Sequence, residues 1–247
     1  MTVQLHNAAI LLGDFTLRID TKFDDGVITA VLGPNGSGKS TLLRAIAGQE
    51  PVDEGSISIA ERTIDSASGI FIPPRKRNVG VVFQDYALFP HLSVLDNVAF
   101  GPRSRRVGRR TARAQARIQL TRLGIADLAQ RHPKQISGGQ AQRVALARAL
   151  ATEPDVLLLD EPLAALDVET RDAVRVELLT QLRSFTGAIL LVTHDPLDAI
   201  TLADRVLVLE AGIVAQDGTP SDLAARPATT YVKALVAQAN RLGGMQT

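Results

Sequence analysis

The 247-residue sequence contains no cysteine. That excludes disulfides, thiolate nucleophiles and cysteine-ligated zinc together. Any apolar run approaching the roughly 18 residues of a membrane-spanning helix is also missing, so the chain is expected to be soluble and to serve a membrane only through partners. The N-terminal MTVQLHNAAILLGD has no basic residue ahead of its apolar stretch and no small-residue cleavage pattern, which predicts that it is not a secretory signal. A charge excess of one sign is lacking as well. Lysine and arginine total 27 against 26 acidic residues, so no global field draws the molecule to nucleic acid or anionic lipid. One local exception stands out, GPRSRRVGRRTARAQAR, where Arg103, Arg105, Arg106, Arg109, Arg110, Arg113 and Arg117 crowd together. Such a run either binds phosphates and acidic surfaces or forms a solvated loop entering a helix.

What remains is ordinary for a globular protein: 45% hydrophobic and 21% charged residues, enough to bury a substantial core. FTLRIDTKF alternates, with Phe15, Leu17, Ile19 and Phe23 on one face and Thr16, Arg18, Asp20 and Lys22 on the other, which predicts a half-buried antiparallel strand. VITAVL is nearly continuous and β-branched, the pattern of a strand covered on both faces. The same pattern recurs at VGVVF (79–83), VLLL (156–159), AILLVT (188–193) and RVLVLE (205–210), with helical spacing between several of them. Val174, Leu178, Leu179, Leu182 and Phe185 mark one helix, with Asp167 placed to cap it. Strands alternating with helices predict a parallel α/β sheet. Residues 85–153 read as helical and arginine-rich, an insert between core segments 1–84 and 154–247. No internal repeat is evident.

Two stretches have the form of a phosphate site. GPNGSGKST, Gly33-Pro34-Asn35-Gly36-Ser37-Gly38-Lys39-Ser40-Thr41, satisfies G-x-x-x-x-G-K-[ST]. Glycines let backbone N–H groups curl around phosphates, the following helix directs its positive end at them, Lys39 reaches the β- and γ-phosphates, and the Ser40 hydroxyl suits Mg²⁺. A buried strand before it and an apolar helix ending at Gly48 supply the required context. The second stretch, ISGGQAQR, offers Ser137, Gly138, Gly139 and Gln140 at another helix start, where plain capping is an equal reading. VLLLDE sets Asp160 and Glu161 at a strand end, where ligands bind in open α/β sheets. Asp160 there can hold Mg²⁺ through water, and Glu161 can act as general base. Gln84 and His194 each follow a buried strand in the same way.

In order, GPNGSGKST, the FQD of 83–85, ISGGQAQR, VLLLDEP, the AALD of 164–167 and the Thr193–His194 pair resemble the motif set of ABC-type ATPases over nearly the whole chain. ISGGQ is similar to that family's signature LSGGQ, with Ile136 in place of leucine. The resemblance implies a P-loop NTPase core with a RecA-like, mostly parallel sheet, an N-terminal antiparallel β subdomain and an inserted helical subdomain. It implies ATP and Mg²⁺ as cofactors and a homodimer closing on two ATPs. Lys39 and Ser40 would bind phosphate and Mg²⁺, Gln84 would sense the γ-phosphate and the metal, and Asp160 would hold Mg²⁺. Glu161 would be the base and His194 a γ-phosphate contact. Ser137 and Gly139 would reach the partner's ATP, with Asp167 across the interface. Phe15 is the nearest candidate to stack on adenine.

The region PPRKRNVGVVFQDYALFPHLSVLDNVAFG and the compact LGDFTLRIDTKF are similar to importer ATPases of the molybdate/tungstate type. That implies two transmembrane permease subunits, an external solute-binding protein acting indirectly, no nucleic acid, and a peripheral position on the cytoplasmic face of the membrane. The small C-terminal regulatory domain common in such proteins is not expected here, because the sequence ends just after the core. Three alternatives stay open: an ABC ATPase energising uptake of another solute (sulfate, sugar, polyamine or iron), one acting on nucleic acid, favoured only by the arginine cluster, and an exporter cassette.

Overall fold

A computed structural model of the chain describes residues 2–243. It begins with β1 (Val3–Leu12), β2 (Phe15–Phe23) and β3 (Ile28–Leu32), then α1 (Lys39–Ala47). β4 (Glu54–Ile59), β5 (Arg62–Ser66), β6 (Ile70–Phe71) and β7 (Val79–Val82) follow. The helical stretch holds α2 (Val94–Ser104), α3 (Arg109–Arg122) and α4 (Gly138–Leu150). β8 (Val156–Asp160), α5 (Val168–Arg183), β9 (Ala188–Val192), α6 (Pro196–Leu202) and β10 (Arg205–Glu210) come next. β11 (Ile213–Gly218), α7 (Pro220–Ala225) and α8 (Thr230–Gly243) complete it.

Two sheets divide the strands. One is antiparallel, in the order β2-β1-β4-β5-β6. The other runs β11-β10-β3-β9-β8-β7, with parallel pairing throughout except between β10 and β11. The fold is thus the P-loop α/β class with an antiparallel β part and a helical insert, as the motif order implied.

The continuous apolar runs became the centre of the parallel sheet for a simple reason. β3 and β9 are buried at every position, and each large aliphatic side chain so covered contributes about 1.5–3 kcal/mol. VGVVF departs from that expectation. β7 is the sheet's edge, so Val79 and Val81 are only half-buried and Phe83 is 36% exposed. The alternating FTLRIDTKF is β2 as read, and Leu17, Ile19 and Phe23 face a second core cluster between the two sheets. β1 was not legible as a strand, because a bulge between Leu5 and Ala8, with Asn7 at φ 44, breaks its alternation. Among the described residues no helix is long and apolar enough to cross a membrane.

Candidate nucleotide site and its second half

The loop between β3 and α1 is shaped by left-handed backbone. Gly33, Gly36 and Gly38 have φ of 151°, 77° and 104°, values that L side chains rarely adopt. At Gly33 a Cβ would also lie 2.1 Å from the Leu209 carbonyl oxygen. α1 starts at Lys39 with Gly38 as its N-cap and no side chain capping it, so its first N–H groups are free to meet an anion. The Ser37 hydroxyl is buried without a hydrogen-bond partner. Lys39 is 8% exposed, and its Nζ donates to the Gly33 and Pro34 carbonyls at 2.8 and 2.9 Å. Burial lowers its pKa, opposed by the nearby carboxylates of Glu161 and Asp160.

These groups line a pocket of about 400 Å³ whose walls include Phe15, Asn35, Lys39, Ser40, Thr41 and Glu161. Phe15 packs edge-on against the loop, its ring 3.1 Å from where a Gly38 Cβ would stand. Asp160, at the tip of β8, has its pKa raised, first by burial and then by Glu161. Glu161 itself sits at φ 46, a left-handed conformation that non-glycine residues hold only under constraint. The constraint is visible: its N–H donates to the Val192 carbonyl at the end of β9, at 2.9 Å. Its carboxylate lies 3.1 Å from His194 Nδ1. Asp160, Glu161, His194 and Lys39 are therefore brought to one edge of the sheet. Gln84 is exposed just beyond β7 and is not among the residues lining this pocket.

The loop and carboxylates fit a nucleotide triphosphate with Mg²⁺. No group of three or more His, Cys, Asp or Glu is placed to hold a metal among the described residues. Mg²⁺ held by one hydroxyl, one carboxylate and substrate phosphates needs no such cage, and Ser40 with Asp160 provides that donor set.

ISGGQAQR builds a different place. Ser137 caps α4 in a capping box: Gln140 N–H donates to its Oγ at 3.3 Å, and its own N–H donates to Gln140 Oε1 at 3.0 Å. Its hydroxyl proton stays free to donate. Asp167 caps α5, accepting from Thr170 N–H at 2.9 Å. The two helix starts converge on a pocket of about 650 Å³, lined by Ser137, Gly138, Gly139, Gln140 and Asp167 among others. Gly138 and Gly139 lack left-handed φ; a Cβ on either would come to 3.1 Å from the side chain of Leu166 or Val174. They are small because the Leu166 and α5 side chains press against them.

Sequence reading missed the net that holds His194. Arg175 on α5 is 5% exposed. It donates to Asp198 at 2.7 Å, to Asp195 at 3.4 Å and to Asp172. Thr193 Oγ1 donates to Asp198 at 2.9 Å and accepts from Asp195 N–H at 3.1 Å. Arg171 donates to the Leu166 carbonyl and lies 3.8 Å from Asp195. The loop bearing His194 is thereby tied to the start of α5. The only available signal was the four-residue spacing of Arg171 and Arg175 on one helix face.

Also unread was an apolar groove of about 360 Å³ between β7, α2 and α4, walled by Phe83, Ala87, Phe89, Phe100, Ser104 and Arg148. Arg148 donates to the Tyr86 and Ala87 carbonyls at 2.7 and 2.6 Å. Tyr86 and Ala87 both have positive φ, and the Tyr86 hydroxyl donates to the Pro162 carbonyl, next to Glu161, at 3.3 Å. The groove is thus one residue chain away from the carboxylate edge.

Comparison with known proteins places the chain in a family. The family model described as ABC transporter matches residues 17–164. The molybdenum import ATP-binding protein ModC of Mycobacterium tuberculosis (strain ATCC 25618 / H37Rv) is 46% identical over 239 residues, covering 95% of this chain and 64% of that protein. The spermidine/putrescine import ATP-binding protein PotA of Pseudomonas fluorescens (strain Pf0-1) is 45% identical over 227 residues, covering 92% and 62%. The chain thus spans a little under two thirds of the length of these relatives. Among solved structures, the ATP-binding cassette MJ0796, in a dimeric post-hydrolysis state bound to ADP and Pi, superposes with a TM-score of 0.72 at 29% identity, covering 88% of this chain and 98% of that one. With a family model spanning more than half its residues and relatives this similar, the chain belongs to the ABC transporter family.

Proposed function

We propose that the chain is the ATP-hydrolysing subunit of an ABC importer and that two copies close head to tail around two ATPs. The observation that carries this reading is the pair of distinct glycine-rich pockets: an uncapped loop with Lys39, and a capped one that presents a hydroxyl but no lysine. The dimeric state of the similar cassette MJ0796 supports it.

Each ATP would be held by residues 33–41 of one copy and by Ser137 and Gly139 of the other, with Asp167 across the interface. Phe15 borders the first pocket as an adenine platform. Ser40 and Asp160 would hold Mg²⁺, which when bound would supply charge neutralisation at the phosphates, and Gln84 would approach once the dimer closes. Glu161 takes a proton from the attacking water as its oxygen bonds to the γ-phosphorus and the bond to the bridging oxygen breaks. His194 fixes that carboxylate from 3.1 Å and contacts the γ-phosphate. Phosphoryl transfer depends mainly on positioning and charge stabilisation, so a site split across two chains hydrolyses only on closure.

Residues 85–153 would move as the transmitting unit, with the groove at Phe83, Phe89 and Phe100 receiving a permease element on the cytoplasmic face of the membrane. A solute-binding protein would act from the other side. For the cargo we take an oxyanion of the molybdate class, supported by the 46% identity to ModC. The 45% identity to PotA favours a polyamine as second reading. Measuring which solute stimulates ATP hydrolysis by the chain reconstituted with its permease and binding protein separates the two.

The central test is Glu161→Gln. Loss of a general base slows turnover by roughly 10²–10⁴-fold, and the variant should elute as an ATP-bound dimer on a sizing column. Fast turnover with monomeric elution would sink the reading.

A further inference from the structure

The arginine cluster has no part in either pocket. Between Asp96 and Asp127 the sequence holds eight arginines and no acidic residue, although the whole molecule is nearly neutral. Their placement follows from α2 and α3. α3 buries Ala112, Ala116 and Leu120, so Arg110 and Arg117, seven apart, share its outward side together with Ile118, which is 53% exposed. Arg113 is neutralised by Asp96, at 2.9 and 2.7 Å. Arg105 donates only to uncharged acceptors, the Asn78 side chain at 2.8 Å and the Thr152 carbonyl at 2.9 Å, so its charge is uncompensated. Arg103, Arg106, Arg110 and Arg117 are exposed, with no carboxylate at salt-bridge distance among the described residues.

This basic face adjoins the apolar groove. Phe100, Gly101 and Ser104 on α2, and Thr152, all line the groove. Arg103 and Arg105 flank Ser104, and Arg105 reaches across to Thr152. The charges therefore stand on the rim of the surface assigned above to the permease. We infer that this face binds the anionic lipid headgroups of the leaflet beside the permease. Its orientation rests on the proposed importer reading; the lipid affinity itself does not.

Four features favour lipid. Clusters of four to eight arginines beside a membrane-docking surface attract anionic headgroups, each contributing roughly fivefold in affinity. An exposed isoleucine among them suits the boundary between headgroups and acyl chains. Single-stranded nucleic acid is read by aromatic stacking, and residues 101–131 contain no Phe, Tyr or Trp. The charges are also spread over two helices rather than gathered in a pocket, which matches a laterally mobile anionic surface better than fixed carboxylates.

The test is co-sedimentation of the whole chain, without permease, with vesicles of phosphatidylcholine containing about one third phosphatidylglycerol. Binding is expected at low salt, with a large loss at several-fold higher salt. The exposed quadruple variant R103E/R106E/R110E/R117E should lose it by roughly several hundredfold or more while retaining ATP hydrolysis in solution, which also reports that it folds. The quadruple lysine variant should keep most of the binding. Absence of vesicle binding, equal binding to pure phosphatidylcholine, or tighter binding to single-stranded RNA at the same salt would each overturn the inference. Failure here with an intact Glu161→Gln dimer trap would leave the importer reading standing.

Discussion

The two glycine-rich helix starts use the same residue for opposite reasons. At Gly33 and Gly38 the backbone is left-handed and the helix that follows has no side-chain cap, so glycine creates a cradle of free N–H groups. At Gly138 and Gly139 the backbone is ordinary and Ser137 with Gln140 closes the helix end. There glycine makes room against Leu166 and Val174. The first pocket holds a buried lysine and the Glu161 carboxylate; the second offers a hydroxyl at the start of a helix. The proposed dimer would join a loop rich in anion-binding groups to a helix start that presents a hydroxyl.

The strongest way to break this comparison is to disable each half separately. Lys39→Ala should abolish nucleotide binding by the monomer, a loss on the order of a hundredfold or more in affinity, because a buried cation facing phosphate is removed. Ser137→Arg should leave monomer ATP binding intact and abolish hydrolysis, measured by fluorescent nucleotide binding and phosphate release. Ser137→Ala separates blocking from capping, since losing the cap alone costs about 1 kcal/mol of stability. If Ser137→Arg weakens monomer binding as much as Lys39→Ala, the two pockets are not separate halves.

A smaller effect sharpens the claim about glycine. Gly38→Ala forces a Cβ into left-handed backbone beside Phe15 and Leu17 and should cost about 1–2 kcal/mol. Gly139→Ala carries no such strain and meets one movable methyl of Val174, so its effect should stay below about 1 kcal/mol. Urea unfolding of both variants decides it; equal losses would refute the distinction.

The smallest expected effect concerns the helical part that carries the second pocket. Arg113 holds the Asp96 carboxyl below its ordinary range through their hydrogen bonds. A depressed carboxyl contributes stability that is fully present above its unfolded pKa, near 3.9, and is lost as pH falls through the folded value. Arg113→Met should therefore lower stability at neutral pH by about 1 kcal/mol. It should also flatten the acid loss below roughly pH 4, as followed by thermal melts across that range. An unchanged acid slope would show that the pair does not tie α2 to α3.

Much of the fold was legible because its signals are local. The continuous apolar runs at 28–32, 156–159 and 188–192 became inner strands since only a sheet covered on both faces buries every position of such a run. The Asp167 cap and the Gly48 stop stand where the residues put them. β1 was illegible because its bulge resets the period, and β7 was misjudged because an edge strand and a central one can carry the same valines. In the site, the loop and Asp160–Glu161 were readable from spacing. The Arg175 net was not, since two of its acceptors lie 20 and 23 residues away on the loop and helix after β9.

The sequence by itself determined the first phosphate loop, the strand-tip carboxylates and the order of the motifs, because glycine conformations, helix starts and strand ends are set by neighbours along the chain. Tertiary structure alone decided that Glu161 is held left-handed by Val192, that His194 meets it, and that Ser137 and Asp167 share a second pocket. Those pairs lie 30 to 33 residues apart in the chain, and only the packing of strands and helices against one another brings such groups together.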